Sequence, residues 1–325
     1  MQFLLAILAQ PVAASLIPGI VFWPYFAGAV ILIIGLARMT RNELLHKRGL
    51  DRAVVLGPLF LAVPMAVFGA DHFIAAKIVA AMVPSWIPGH LFWVYFVGVA
   101  LIAAALSIVT RQYSVLAATL LSAMIFSFVL LISVPKVSTN PSDRFALAVL
   151  LRDSAFSAGA LAFAVAQAGK RVTRSLDKVT IVVRYVIALP AIVFGVEHFL
   201  HPEFVPVVPL KQLMPSWVPG HLFLSYVTGV VLIASGLCLL FNWKARLAAT
   251  WLGIIVFVIV LLVYVPNMVA KISDIGNGLN YTVDTLAFAG TALLLAGALP
   301  KGSRSELLPA NQGRPAGRAS HSAES

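Results

Sequence analysis

The sequence predicts an all-α, polytopic membrane protein: a transmembrane helical bundle of about nine spans, built largely from two tandem four-helix repeats. Its composition is the first observation behind this prediction. Apolar residues make up 61% of the 325-residue chain and charged residues 11%, and the mean hydropathy is +0.97. Soluble chains carry roughly a quarter charged residues, so this composition fits a bilayer. The other two observations are a series of long apolar segments and an internal repeat.

The apolar segments are each long enough to cross the ~30 Å hydrocarbon layer. The second and sixth contain Pro64 and Pro190, which a membrane bundle tolerates because neighbouring groups satisfy the freed carbonyls. Pro135 and Pro266 are expected to end the fourth and eighth spans. The predicted spans are 19–37, 53–74, 89–109, 114–134, 146–168, 179–199, 221–241, 247–265 and 279–299.

Basic residues are divided unequally between the two sets of loops. Sixteen border one side of the predicted bundle and five border the other. Under the positive-inside rule this predicts a cytoplasmic (inner) membrane protein with its N-terminus outside and its C-terminus in the cytoplasm. The formal charge of +11 comes largely from these short loops. No basic stripe interleaved with aromatic residues indicates nucleic-acid binding, so the lipid bilayer is the predicted partner.

The chain repeats itself in one register. The sequence PSW at 84–86 returns at 215–217, and LAAT at 116–119 returns at 247–250, both 131 residues later. A shared register indicates duplication rather than shared composition. A partial third copy opens the chain. The predicted domains are therefore a partial repeat with a basic loop (1–49), a first four-helix unit (50–169), a second unit (170–300) and a disordered cytoplasmic tail (301–325).

Both units carry the same pattern of ionisable residues in or beside spans. Such groups are costly in a membrane unless paired or hydrated, so they are candidates for ligand or cofactor binding. A helical rise of ~1.5 Å per residue brings them, from three helices, to one layer near the outer face. We therefore expect one shared pocket in each unit. The candidates are Asp71, His72, His90 and Asp153 in the first unit, and Glu197, His198, His221 and Asp284 in the second.

Helix dipoles differ among these candidates. Asp71 and Glu197 stand at predicted helix C-termini, where an anion needs a compensating partner. His90 and His221 stand at predicted N-termini, where the dipole favours neutral imidazole. Neutral imidazole can bind a metal ion, haem or a quinone carbonyl, so these three cofactors stay open. Alternatively, the same residues form interhelical hydrogen bonds that only fix the packing.

The same turn precedes the second helix of each unit, with the sequence Pro-Ser-Trp-x-Pro-Gly. It predicts a rigid structural turn whose tryptophan lies at the membrane interface. The turn residues are Pro84, Trp86, Pro88, Gly89, Pro215, Trp217, Pro219 and Gly220.

The chain resembles the DoxX-like family of integral membrane proteins. The resemblance rests on F-G-x-[DE]-H-F at 68–73 and 194–199, on P-G-H before the second helix, and on the aspartate of the fourth helix. It covers both units, whereas family members usually have one. The family is named after a small subunit of a thiosulfate:quinone oxidoreductase. The resemblance therefore implies work near quinones or electron transfer, with other membrane redox proteins as partners, but identifies no enzymatic reaction.

Three functions follow from these patterns. The first is a redox- or quinone-associated membrane protein that uses the outer-layer clusters. The second is a non-catalytic membrane module that organises lipids or partner proteins. The third is a small-solute transporter, whose ionisable residues are expected nearer the midplane at a repeat interface.

The predicted orientation can be tested with fusions at the C-terminus. We expect an alkaline phosphatase fusion to be inactive and a fluorescent-protein fusion to be bright, because the basic loops hold that end in the cytoplasm. The opposite pair of results would reverse the orientation.

Overall fold

The computed structural model describes residues 19–39, 47–168 and 173–300, without the side chains of 20 and 173–177. In these ranges the chain is helical and forms no strand, apart from one isolated bridge between Phe204 and Leu213. The predicted all-α class is confirmed. The first residues of the partial repeat, 1–18, and the predicted disordered tail, 301–325, lie outside the described residues.

Nine helices in the described part are long and apolar enough to cross a membrane, which makes the chain an integral membrane protein. Each predicted span falls on one of them. They are α1 (Gly19–Arg38), α2 (Asp51–Ile74, interrupted after Val54), α3 (His90–Thr110), α4 (Ser114–Thr139), α5 (Arg144–Ala168), α6 (Thr173–Leu200), α7 (His221–Leu240), α8 (Ala245–Ala270) and α9 (Ile275–Ala298).

The prediction that Pro135 and Pro266 end their helices is wrong. A π-helical turn precedes each proline, and α4 and α8 then continue for a further helical segment. In α4 the Val134 N–H donates to the carbonyl of Val129, five residues back. Proline has no N–H to donate, and the wider π turn shifts the hydrogen-bonding register beside it. The helix therefore passes the proline instead of stopping.

The four helices of each predicted unit pack in chain order, α2 to α5 and α6 to α9. Contacts between the units are reciprocal: α2 packs on α9, and α6 packs on α5. The two closing helices, α5 and α9, also pack on each other. They therefore form the centre of the bundle, while α1 packs on the outside of α2 and α3.

Glycines allow the first two helices of each unit to approach closely. A Cβ added to Gly69 would lie 2.9 Å from the Gly98 carbonyl oxygen, and one added to Gly98 would lie 3.0 Å from the Gly69 oxygen. Gly195 and Gly229 make the same contact between α6 and α7. Because the obstacle is backbone, no rotamer change can make room for a side chain. Small residues at helix crossings serve this purpose in membrane bundles.

We expect Gly195→Val to lower the free energy of unfolding by about 1–3 kcal/mol, the range for overpacking a well-packed site. The measurement is the melting temperature of the detergent-purified protein. Gly19→Val is the control, because a Cβ at Gly19 meets nothing within 4 Å. Equal melting temperatures for the two variants would contradict this account of the crossing.

Candidate functional site

An ion network joins α5 to α9 where the two units meet. The Arg152 Nε donates to Asp153 Oδ1 at 2.9 Å, and its Nη1 donates to Asp284 Oδ2 at 2.8 Å. The Arg152 side chain is 18% exposed and that of Asp284 is 7% exposed. A guanidinium inside a span needs such partners, because its desolvation is otherwise uncompensated. The helix-four aspartates of both units thus share one arginine.

The sequence grouped these aspartates differently. It placed Asp153 with Asp71 in the first unit and Asp284 with Glu197 in the second. The contacts in the structure run between the units instead, through Arg152. The inter-unit boundary, rather than the interior of each unit, therefore holds the most connected group of candidates.

Both carboxylate oxygens of Asp71 are buried and accept no hydrogen bond, although the Asn280 side chain lies close enough to donate one if its amide is turned over. Its polar neighbours are Asn280 and Asp284 of α9. One side-chain oxygen of each, Oδ1, is also buried and unpartnered. Four acceptor atoms therefore lack a donor here. An Asn280 amide turned over would present its two N–H groups in place of its Oδ1, which is still fewer than the three unpartnered carboxylate oxygens of Asp71 and Asp284.

The charges of this inter-unit acid cluster, defined as Asp71, Arg152, Asp153 and Asp284, do not balance. The cluster contains three carboxyl groups and one guanidinium: Asp153 and Asp284 contact Arg152, and Asp71 lies near Asp284, so with all of them ionised the net charge is −2. One helical turn before Asp71, an apolar cluster containing Val67 closes the contact between α2 and α9. The imbalance lies in a region with little water to screen it, so the cluster is suited to a ligand that donates hydrogen bonds.

The start of α9 fixes the position of Asn280 and Asp284. This helix opens with a π-helical turn, Ile275–Asn280. Asp274 caps the turn by accepting hydrogen bonds from the backbone and side-chain N–H groups of Asn277, at 3.0 and 2.8 Å. The same bonds hold the pKa of Asp274, which lies outside the spans, below its usual range. The cap therefore presets the first turn of the helix that carries the cluster.

Glu197, the counterpart of Asp71, does have a partner. The Arg144 Nη1 lies 3.2 Å from Glu197 Oε2. The same guanidinium donates to the carbonyls of Pro209 and Leu210 and stacks 4.1 Å from the Phe204 ring centroid. Arg144 thus anchors the 201–216 loop over the second unit. The first unit lacks this anchor. Ile275 of α9 stands at the position equivalent to Arg144, and it has no charge to offer Asp71, the counterpart of Glu197.

His198 is bonded at both ring nitrogens. Its Nδ1–H donates to the Phe194 carbonyl at 2.5 Å, and its Nε2 accepts from the Val207 N–H at 2.9 Å. The ring is therefore neutral and has no nitrogen left for a metal ion or haem while these bonds hold. His72 makes the first of these bonds, to the Phe68 carbonyl at 2.7 Å. Among the described contacts, the Nε2 of His72 has no backbone donor of the kind that Val207 provides to His198.

His90 and His221 begin α3 and α7, directly after glycines in the left-handed region. The φ angle is +71° at Gly89 and +64° at Gly220. A glycine adopts this conformation at no steric cost, which explains its place in the turn. His221 is exposed and His90 is half-buried. None of the described contacts joins either histidine to the inter-unit acid cluster.

The described residues contain no group of three or more His, Cys, Asp or Glu side chains that could hold a metal ion. The candidate residues of the sequence therefore do not assemble a metal centre within that part of the chain. The oxygen-rich inter-unit cluster is the arrangement that remains.

Three residues of the site were not predicted from the sequence: Arg152, Arg144 and Asn280. Each is matched by an apolar residue in the other unit, namely Val283, Ile275 and Val149. Comparison between repeats selects shared residues, so it passed over all three. The available signal was an arginine inside an apolar segment next to an aspartate, which a search for charge partners would have found.

A family model described as a domain of unknown function (DUF8561) matches residues 61–152. The matched region runs from α2 into α5 and ends at Arg152. No curated protein and no solved structure matches the chain. The resemblance to the DoxX-like family therefore stays a proposal.

We expect Arg152→Leu to lower the free energy of unfolding by about 3–5 kcal/mol, because it leaves two carboxylates in the bundle without their cation. The triple variant Arg152→Leu/Asp153→Asn/Asp284→Asn removes the charges together and should recover most of the loss. Melting temperatures in detergent provide the comparison. A triple variant no more stable than the single one would show that Arg152 acts through packing.

Proposed function

We propose that this integral membrane protein is a redox-associated protein of the DoxX-like type, which binds a quinol between its two four-helix units in the cytoplasmic membrane. The observation that carries the proposal is the surplus of buried acceptor oxygens around Asp71. Acceptor oxygens need hydrogen-bond donors. A quinol dissolves in the bilayer and carries two hydroxyl groups that can donate.

The same surplus discriminates among the three cofactors that the sequence leaves open. A quinone offers carbonyl oxygens, which need donors rather than further acceptors. A haem iron is held by an imidazole, thiolate, thioether or phenolate group, whereas the unpartnered atoms around Asp71 belong to carboxyl and amide groups. A metal ion needs several grouped ligands of the kind the described residues do not assemble. The reduced, hydroxyl-bearing quinol fits the cluster best.

The position of Asp71 also suits a ligand that enters from the bilayer. Asp71 lies three residues before the end of α2, so it is roughly 5 Å from the helix end by axial rise. The apolar cluster of Val67, Leu279 and Val283 lies beside it, with Tyr25 and Phe68 packed against it. Apolar walls with a few placed polar atoms are the usual composition of a small-molecule site.

A second candidate is a transporter for a small cation. The observation that favours it is the place of the cluster between two units, since transporters bind substrates at repeat interfaces. The excess of carboxylates would compensate a positive charge. The second unit, with Glu197 and His198 satisfied by protein groups, instead fits the structural role of a non-catalytic module.

The test compares Asp71→Asn with Glu197→Gln in detergent, using a short-chain ubiquinol as the probe. We expect Asp71→Asn to weaken quinol binding at least about tenfold, the loss of one charge-assisted hydrogen bond, while its melting temperature is unchanged or higher. Glu197→Gln should bind the quinol normally and melt earlier, because Arg144 loses its ionic partner. Titration calorimetry and thermal melting measure the two effects.

Two outcomes would overturn the quinol proposal. One is equal quinol affinity in the Asp71→Asn variant and the unsubstituted protein. The other is no quinol binding by the unsubstituted protein, together with a sodium-dependent rise in its melting temperature that Asp71→Asn abolishes. The latter result would support the cation transporter.

A further inference from the structure

A second site lies at the opposite, basic end of the bundle, where α2 and α8 begin and α5 and α9 end. It is a partly open cavity of about 330 Å³ with walls from both predicted units. We call it the basic cavity. Nothing in the quinol proposal involves it.

Cations dominate the charged lining of the basic cavity. Lys47, Arg111 and Arg246 contribute three positive charges, and Asp51 contributes one negative charge. The cavity therefore carries a net charge of +2 from these residues. Such an excess favours an anion, above all a phosphate group that several donors can bind together.

The negative charge of Asp51 is already compensated. The Arg246 Nη2 donates to Asp51 Oδ1 at 2.7 Å, and its Nη1 donates to the carbonyls of Ala296 and Leu299. These bonds hold the Arg246 side chain in place across the joint between α2, α8 and α9. A fixed guanidinium can bind an anion at a lower entropic cost than a mobile one.

The other two cations, Arg111 and Lys47, are exposed, whereas Arg246 is half-buried. The Arg111 guanidinium is 5.8 Å from the centroid of the Phe163 ring. The ammonium group of Lys47 makes no ion pair among the residues that the structure describes. A phosphate at the opening could therefore gain new charge-assisted hydrogen bonds.

The rest of the lining is largely apolar. The larger apolar side chains that line the cavity are those of Pro58, Phe163, Leu293, Leu294 and Leu299. A free inorganic anion gains nothing from such side chains. A phospholipid gains from both parts, because its phosphate meets the cations and its acyl chains meet apolar side chains. Basic pockets between spans on the cytoplasmic side are known to bind such head groups.

We propose that the basic cavity binds the head group of an anionic phospholipid at the joint between the two units. The ligand links the start of α2 to the start of α8 and the ends of α5 and α9. Binding therefore stabilises the contact between the units, in addition to any general solvation by the bilayer.

The test uses two charge-matched double variants of the full chain. Lys47→Gln/Arg111→Asn removes two cations from the cavity. Arg48→Gln/Lys244→Asn removes two cations that do not line it. Each double variant also replaces one residue with a left-handed backbone, Arg111 or Lys244, for which asparagine is well suited. Strain and net charge are therefore the same in both.

Native mass spectrometry in detergent measures the binding of phosphatidylglycerol, phosphatidylcholine and inorganic phosphate. The unsubstituted protein and the control variant should retain phosphatidylglycerol in preference to phosphatidylcholine. The cavity variant should lose that preference, with affinity lower on the order of tenfold for two removed cations. Phosphatidylglycerol should also raise the melting temperature of the first two proteins and not of the third.

Three results would overturn the proposal. Equal phosphatidylglycerol affinity in the two double variants would place lipid binding elsewhere. Equal retention of phosphatidylglycerol and phosphatidylcholine by the unsubstituted protein would show that the net negative charge of the head group plays no part in binding. Displacement of the lipid by millimolar inorganic phosphate, with the same rise in melting temperature, would make the cavity a free-anion site.

Discussion

The contact between the two halves of the bundle depends on one guanidinium held between two carboxylates. Arg152 extends from α5 to reach Asp284 of α9 while it keeps its own neighbour, Asp153. In a bilayer the cost of exposing these charges to hydrocarbon is far larger than in water. The helices α5 and α9 must therefore stay in register. Because α2 packs on α9 and α6 packs on α5, the same ion pairs also fix the positions of α2 and α6.

The extent to which the sequence predicts this structure depends on what each signal measures. Apolar length predicts the nine spans found in the described residues, because the bilayer imposes a minimum length on every helix that crosses it. Proline fails as a stop signal at Pro135 and Pro266, because a π turn absorbs the missing donor. The sequence predicts the aspartates of the site but not the contacts that Arg152 makes with them. Repetition reveals residues that two units share, whereas Arg152 acts by reaching across and needs no counterpart.

The two units differ where their sequences differ most in charge. Arg144 at the start of α5 pairs with Glu197 of α6, and the 201–216 loop bonds to His198. In the first unit Asp71 has neither kind of support. An unsatisfied buried polar group needs a physical explanation, such as an ordered water, a bound ion or a functional role.

The reciprocal packing has a consequence for chain connectivity. Gly57, near the start of the first unit, packs against Leu293 and Leu294, near the end of the second. The chain thus returns to its point of departure, and α2 through α9 form a closed circuit of helices. Within such a circuit the position of the break between first and last helix is arbitrary. A gene encoding the second unit before the first, joined by a short linker from α9 to α2, specifies the same set of helix contacts.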